Sequence, residues 1–239
     1  MSHDHTTDHR TLARVVGALF VLASVSAVIG GSLIEPITED GADLAGLSTQ
    51  VTTGALLEAV LALSVIAIAV LLFPVLRRQH EGLALGYAAL RTVEGAFVLL
   101  ATASALVAVD LAGSAADAAV VDPALAARDW SYFLGTMLVF GVSAVVLNAL
   151  LYPARLVPRW LAAWGLIGGL LLLTRTVLEL YGVESSLGVQ FVWAAPIALQ
   201  EMVFAVWLFV RGFDTTHLAG RSRVATPAMP PEFRRPVGV

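Results

Sequence analysis

The chain has 239 residues, 58% of them hydrophobic and 13% charged, with a formal net charge of −4 and a mean hydropathy of +0.84. Soluble domains carry roughly 25% charged residues, so this composition excludes a soluble globule and requires an integral membrane protein. There is no cysteine and all 14 basic residues are arginines, which excludes disulfides, thiol nucleophiles, thiolate metal sites and lysine Schiff bases.

A hydrocarbon core ~30 Å thick takes about 20 apolar residues in a helix rising ~1.5 Å per residue. Residues 1–10, MSHDHTTDHR, read as a polar tail. The first predicted span is Thr11–Leu33. It is longer than the ~7–15-residue core of a cleaved signal and its flank is mixed rather than basic, so a retained helix is expected. An acidic segment with Glu35, Glu39, Asp40 and Asp43 follows, without the alternating spacing of a calcium loop. The second span, Val51–Leu76, contains Glu58, and Arg77 and Arg78 come after it.

The third span, Leu83–Val109, holds Tyr87, Arg91 and Glu94. A loop with Asp110, Asp117, Asp122, Arg128 and Asp129 leads to the fourth span, Trp130–Leu151, and then to Arg155 and Arg159. The fifth, Trp160–Leu180, holds Arg175 and Glu179, and the sixth, Val189–Val210, holds Pro196 and Glu201. Residues 214–239, rich in Pro, Ser and Arg, read as a disordered tail. The expected fold is all-α: a polytopic bundle of six transmembrane helices over residues 11–213.

Arginine placement predicts orientation. Arg10, Arg14, Arg77, Arg78, Arg155, Arg159 and Arg211 share one side with the C-terminal arginines. The other loops carry Arg128 alone, against nine acids that include Asp117 and Glu184. Both termini are therefore expected in the cytoplasm, with the chain in the inner (plasma) membrane. A short repeat accompanies this pattern. LLFP (Leu71–Pro74) recurs as LLYP (Leu150–Pro153), and RTVE (Arg91–Glu94) is echoed by RTVLE (Arg175–Glu179). The two hairpins run in the same sense, which is a parallel rather than an inverted duplication.

The charges inside the spans are the candidate site. Arg91 and Glu94 are three residues apart and Arg175 and Glu179 four apart, so each couple shares a helical face. Tyr87, one turn below Arg91, is placed to donate a hydrogen bond to a carboxylate. Helical rise puts Glu94 and Glu201 near mid-membrane and Glu58, Arg175 and Glu179 in the outer half, as a polar track. Each charge facing lipid would cost ~2.5–3.5 kcal/mol or more, so the six other than Arg14, which reaches the cytoplasmic interface, are expected to converge on the interior. Four glutamates against two arginines leave two acids without a basic partner, the usual material of proton relays and cation sites. Pro196, just before Glu201, frees a backbone carbonyl and permits a bend. Gly165, Gly168 and Gly169 predict close helix approach, and Asn148 an interhelical hydrogen bond. Trp130, Trp160, Trp164, Trp193 and Tyr152 read as interfacial aromatics.

Other chemistry is missing. No HExxH motif, intramembrane His–Ser couple, intramembrane aspartate or Gly-rich phosphate loop is present. No basic, aromatic-laced surface for nucleic acid exists. No catalytic residue, metal ligand or cofactor is assigned.

At LLFPVLRRQHEGLALGYAALRTVEG, RLVPRWLAAWGLIGG and PIALQEMVFAVWLFVRGF the chain resembles a prokaryotic membrane-protein family catalogued as domain of unknown function 4386. The resemblance runs from about Thr11 to Phe213. It implies a six-helix membrane protein and marks Arg91, Glu94, the LVPRW block (Leu156–Trp160) and Glu201 as family features. It implies no activity. The functional expectation is a small-solute or proton-linked transport or binding protein, with Arg91, Glu94 and Glu201 flooring an outward-open cavity. The alternatives are a scaffold or accessory subunit with structural ion pairs, and a glutamate-based intramembrane enzyme. The expected partners are the lipid bilayer and a small polar or ionic solute or protons.

Overall fold

A computed structural model describes residues 3–39, 42–114, 117–183 and 187–213. The predicted C-terminal tail, Asp40 and Glu184 lie outside them. Every regular element among the described residues is helical: α1 (His3–Ile34), a 3-10 turn (Glu35–Thr38), α2 (Ser48–Leu76), α3 (Glu81–Gly113), α4 (Ala118–Phe133), a π-helical turn (Leu134–Val139), α5 (Phe140–Ala154), α6 (Arg159–Leu180) and α7 (Leu187–Val210). The π turn joins α4 and α5 into one rod, so seven α-helices make six spans of membrane-crossing length and hydropathy. The protein is an all-α, six-helix integral membrane bundle.

Two boundaries differ from expectation. α1 begins at His3, inside the segment read as a tail. The fourth span begins at Ala118 rather than near Trp130. Asp122, Pro123, Arg128 and Asp129 made its first three turns look like a loop. Asp117, in an extended conformation, sits at the N-cap position of that helix.

Local signals explain the breaks. The imidazole Nδ1 of His80 accepts the Leu83 N–H at 3.1 Å and caps α3. α5 ends where Pro153 and the left-handed Arg155 (φ 53°) stop the ladder, and Pro158 starts α6. α7 stays helical through Pro196.

Consecutive spans pack side by side, and α1 also packs on α7, closing the six into a ring. Large apolar side chains such as Val28, Leu56, Leu63, Val70, Leu85, Ile167, Val192 and Val206 face outward. This reverses a soluble protein and presents an apolar belt to lipid. Toward the end bearing Arg77, Arg155 and Arg211, called here the arginine end, the ring is filled by a dry core with Phe20, Leu72, Leu150, Leu161 and Phe204. The opposite, acidic end carries Glu35, Glu39, Asp43 and Asp117. Trp160 and Tyr152 stand exposed near span ends, whereas Trp164 packs on the core and Trp130 falls well inside its lengthened span.

Small residues set the helix spacing. A Cβ on Gly168 would lie 2.9 Å from the backbone N of Ile197, so α6 meets α7 backbone to backbone there. A Cβ on Gly30 or Gly54 would lie 3.1 or 2.9 Å from the other's carbonyl oxygen, which marks the α1–α2 crossing. A Cβ on Gly165 would collide with the Asn148 amide. That amide accepts from Gln200 Nε2 (3.3 Å), which also donates to the Leu161 carbonyl (3.3 Å), tying α5, α6 and α7 together. Gly165→Ala is therefore expected to cost about 1–3 kcal/mol by overpacking, read as a lower melting temperature in detergent.

Candidate functional site

Arg91 lies at the centre of the ring, with 2% of its side chain exposed. Its Nη1 donates to both oxygens of Glu94 at 3.0 Å, because the two sit three residues apart on α3. Its Nη2 donates to Glu201 Oε1 of α7 at 3.2 Å, and its Nε to the Tyr87 hydroxyl at 3.2 Å. Tyr87 thus accepts from the guanidinium; it was expected to donate to a carboxylate. The rings of Phe140, Tyr87 and Phe20 lie 5.2, 5.7 and 5.9 Å from the Arg91 guanidinium carbon. Each such contact contributes about 0.5–2 kcal/mol. Four elements, α1, α3, α5 and α7, hold this one side chain.

Two carboxylates share a single guanidinium here. With both acids ionised the cluster carries one net negative charge, and one added proton makes it neutral. Glu94 is nearly enclosed, whereas Glu201 keeps 18% of its side chain exposed. The space beside it is a cavity of about 190 Å³, lined by Arg91, Glu94, Glu201 and Tyr132 together with aliphatic and aromatic side chains. The π turn builds one wall, since Thr136 and Met137 belong to it and Phe140 follows it directly. A π turn inside an α-helix inserts a residue and re-aims its neighbours. At Gly135 the same turn crosses α3 so closely that a Cβ would meet Phe97 Cβ at 2.7 Å.

The remaining predicted residues do not join this cluster. Glu58 is completely buried in a second one: Arg128 Nη2 donates to its Oε1 at 2.5 Å and Thr102 donates to its Oε2 at 2.7 Å. Arg128 was expected in a loop. It is instead 5% exposed and sits over the Tyr132 ring at 4.3 Å, so Glu58 is not one of the unpartnered acids. Arg175 and Glu179 pair with each other at 2.9 Å on the flank of α6, with Glu179 37% exposed on its side chain. Arg175 reaches the sulfur of Met137, a residue of the central cavity's wall, at 3.9 Å. The echo between RTVE and RTVLE therefore does not carry over to equivalent positions. Of the four glutamates, Glu94 and Glu201 converge, and Glu58 and Glu179 stand elsewhere.

The position of Arg128 becomes legible only once the helix is known to run back to Ala118. Val121, Arg128, Ser131 and Gly135 are the buried positions of this stretch, spaced by seven, three and four, the pattern of one helical face. Among the described residues no group of three or more His, Asp or Glu side chains is placed to hold a metal ion.

A closed ring of six apolar helices with a charged, hollow centre defines the class: a polytopic membrane protein with an intramembrane polar site. The chain matches the family model described as domain of unknown function (DUF4386) over residues 15–212, and it belongs to that family. No curated protein and no solved structure matches it.

Proposed function

We propose that the protein binds or moves a small solute or protons through the site at Arg91, Glu94 and Glu201. Carrying this reading is the cavity against Glu201. Its ~190 Å³ holds about six waters at ~30 Å³ each, whereas a pure helix clasp needs no hollow. Below it, toward the arginine end, the core is dry; above it lie the second ion pair and the acidic end. The asymmetry favours access from the acidic side. With Arg128 inside the bundle, no described loop residue at that end is an arginine, which supports a cytoplasmic arginine end in the plasma membrane. Arg91 orients both acids, and Glu201, the more accessible one, takes up and releases the proton.

The test is flux. In vesicles with an imposed pH gradient, Glu201→Gln is expected to lower proton or solute movement about a hundredfold or more, the usual scale for losing a proton-transfer group. Unchanged flux would remove Glu201 from the mechanism. The one-to-one pairs Glu58–Arg128 and Arg175–Glu179 suit a second reading, a scaffold whose charges lock helices. On that reading Glu201→Gln lowers the melting temperature and changes no flux.

A further inference from the structure

The cavity beside Glu201 has one charged wall and a larger apolar one. Phe20 of α1, Leu61, Val65 and Ile68 of α2, Met137 of the π turn and Phe140 of α5 give the apolar side. On the charged side the Arg91 guanidinium is fully committed. Its Nε, Nη1 and Nη2 each donate within the protein, and 2% of the side chain is exposed. Glu201 is only half committed. Its Oε1 accepts from Arg91, and no hydrogen bond reaches Oε2 among the described residues. That oxygen is not sealed away, since Glu201 lines the cavity with 18% of its side chain exposed.

We infer that the solute of this cavity is a small organic ammonium ion with an apolar body, which competes with the proton at Glu201. The inference rests on the reading of the central cavity as a binding site and names the class of its ligand. With both acids ionised the cluster has one net negative charge, which one proton or one monovalent cation neutralises. The ammonium N–H donates to Glu201 Oε2, and the hydrocarbon lies against the apolar wall, where the flexible Met137 thioether fits bodies of different shape. An anion would meet two carboxylates and an arginine with no uncommitted nitrogen. A hard metal ion takes about six or more oxygen ligands. Beyond its charged groups this wall offers the hydroxyls of Ser24, Tyr132 and Thr136, and its other side chains present carbon and sulfur. At the acidic end, Glu35, Glu39, Asp43 and Asp117 attract cations toward the bundle. The titratable groups facing Glu201 are Arg91, Glu94 and Tyr87 of α3 and Tyr132 of α4. The lining stretches of α1, α2, the π turn and α5 bring none, and α6 contributes no residue to the cavity, its Arg175 pairing with Glu179.

The test is calorimetric binding to the full chain in lipid nanodiscs, corrected with empty nanodiscs, using n-butylammonium, methylammonium and n-butyrate. Butylammonium is of the size that a cavity of about 190 Å³ admits at ~30 Å³ per heavy atom. It is expected to bind at least about tenfold more tightly than methylammonium, which lacks the buried methylenes, and than butyrate, which has the wrong charge. As pH falls its affinity is expected to drop, by up to about tenfold per unit once the proton occupies the cluster. Glu201→Gln keeps the side-chain volume and is expected to weaken binding at least about tenfold and to flatten the pH dependence, whereas Glu179→Gln changes neither. Ala27→Leu, which fills the cavity and touches no charge, is expected to weaken butylammonium more than methylammonium, and it decides the matter if Glu201→Gln does not fold. The inference is overturned if butylammonium does not bind, if butyrate matches it, if its affinity ignores pH, or if folded Glu201→Gln or Ala27→Leu binds it undiminished. Such a result beside Glu201-dependent flux leaves the central site in place with a different ligand, whereas absence of both binding and flux removes that reading too.

Discussion

Arg91→Gln is expected to be the most damaging single substitution in the bundle. It leaves two carboxylates facing each other in the interior and empties the space between Phe20, Tyr87 and Phe140. Removing one partner of a buried ion pair costs about 3–5 kcal/mol, and here a single deletion breaks two pairs. The expected result is a sharp fall in melting temperature and poor recovery from membranes. Adding Glu94→Gln and Glu201→Gln to the same chain is expected to restore much of the stability, because it removes the stranded charges as well. It will not restore flux. That separation is informative, since a scaffold would recover completely. Thermal unfolding in detergent read alongside vesicle flux checks both halves.

The second large effect is expected at Arg128. With Glu58 completely buried, Arg128→Gln strands its carboxylate with only the Thr102 hydroxyl and is expected to cost about 3–5 kcal/mol. The double variant Glu58→Gln, Arg128→Gln keeps polar groups of similar size without charge, and most of the loss should return. A double-mutant cycle measures the coupling directly. Arg175→Gln is expected to cost less than either, because the acid it leaves behind, Glu179, is 37% exposed on its side chain and is not stranded in a closed interior. The ranking Arg91, Arg128, Arg175 follows from how many carboxylates each substitution strands and how deeply those are buried.

Much of this was legible in the sequence. Uninterrupted apolar runs fix six spans because a lipid core tolerates little else, and i, i+3 spacing fixes the Arg91–Glu94 couple locally. The depth estimate that set Glu94 and Glu201 at one level agrees with their sharing a guanidinium. What could not be read were contacts between remote segments. Glu58 and Arg128 are 70 positions apart, and Arg128 adjoins Asp129 and Trp130 at what looked like a membrane border. A charge at an apparent border is ordinarily assigned to water. Only the helix running back to Ala118 shows that its side chain turns inward. The Arg175–Glu179 couple failed in the opposite way: its spacing was right, but spacing alone does not say which way the shared face points.

The π turn between α4 and α5 has a consequence for the winding of the rod. It lets one rod direct Arg128 to Glu58 above it and Phe140 to Arg91 below it. If the same residues between Leu134 and Val139 wound as an ordinary α-helix, one half would turn against the other by about 100°, one residue's share of a 3.6-residue turn. Either anchor would survive, but not both. Such a rewinding would leave every charged and aromatic side chain in place and still disconnect the two clusters, so in this segment the local winding is itself part of the specification.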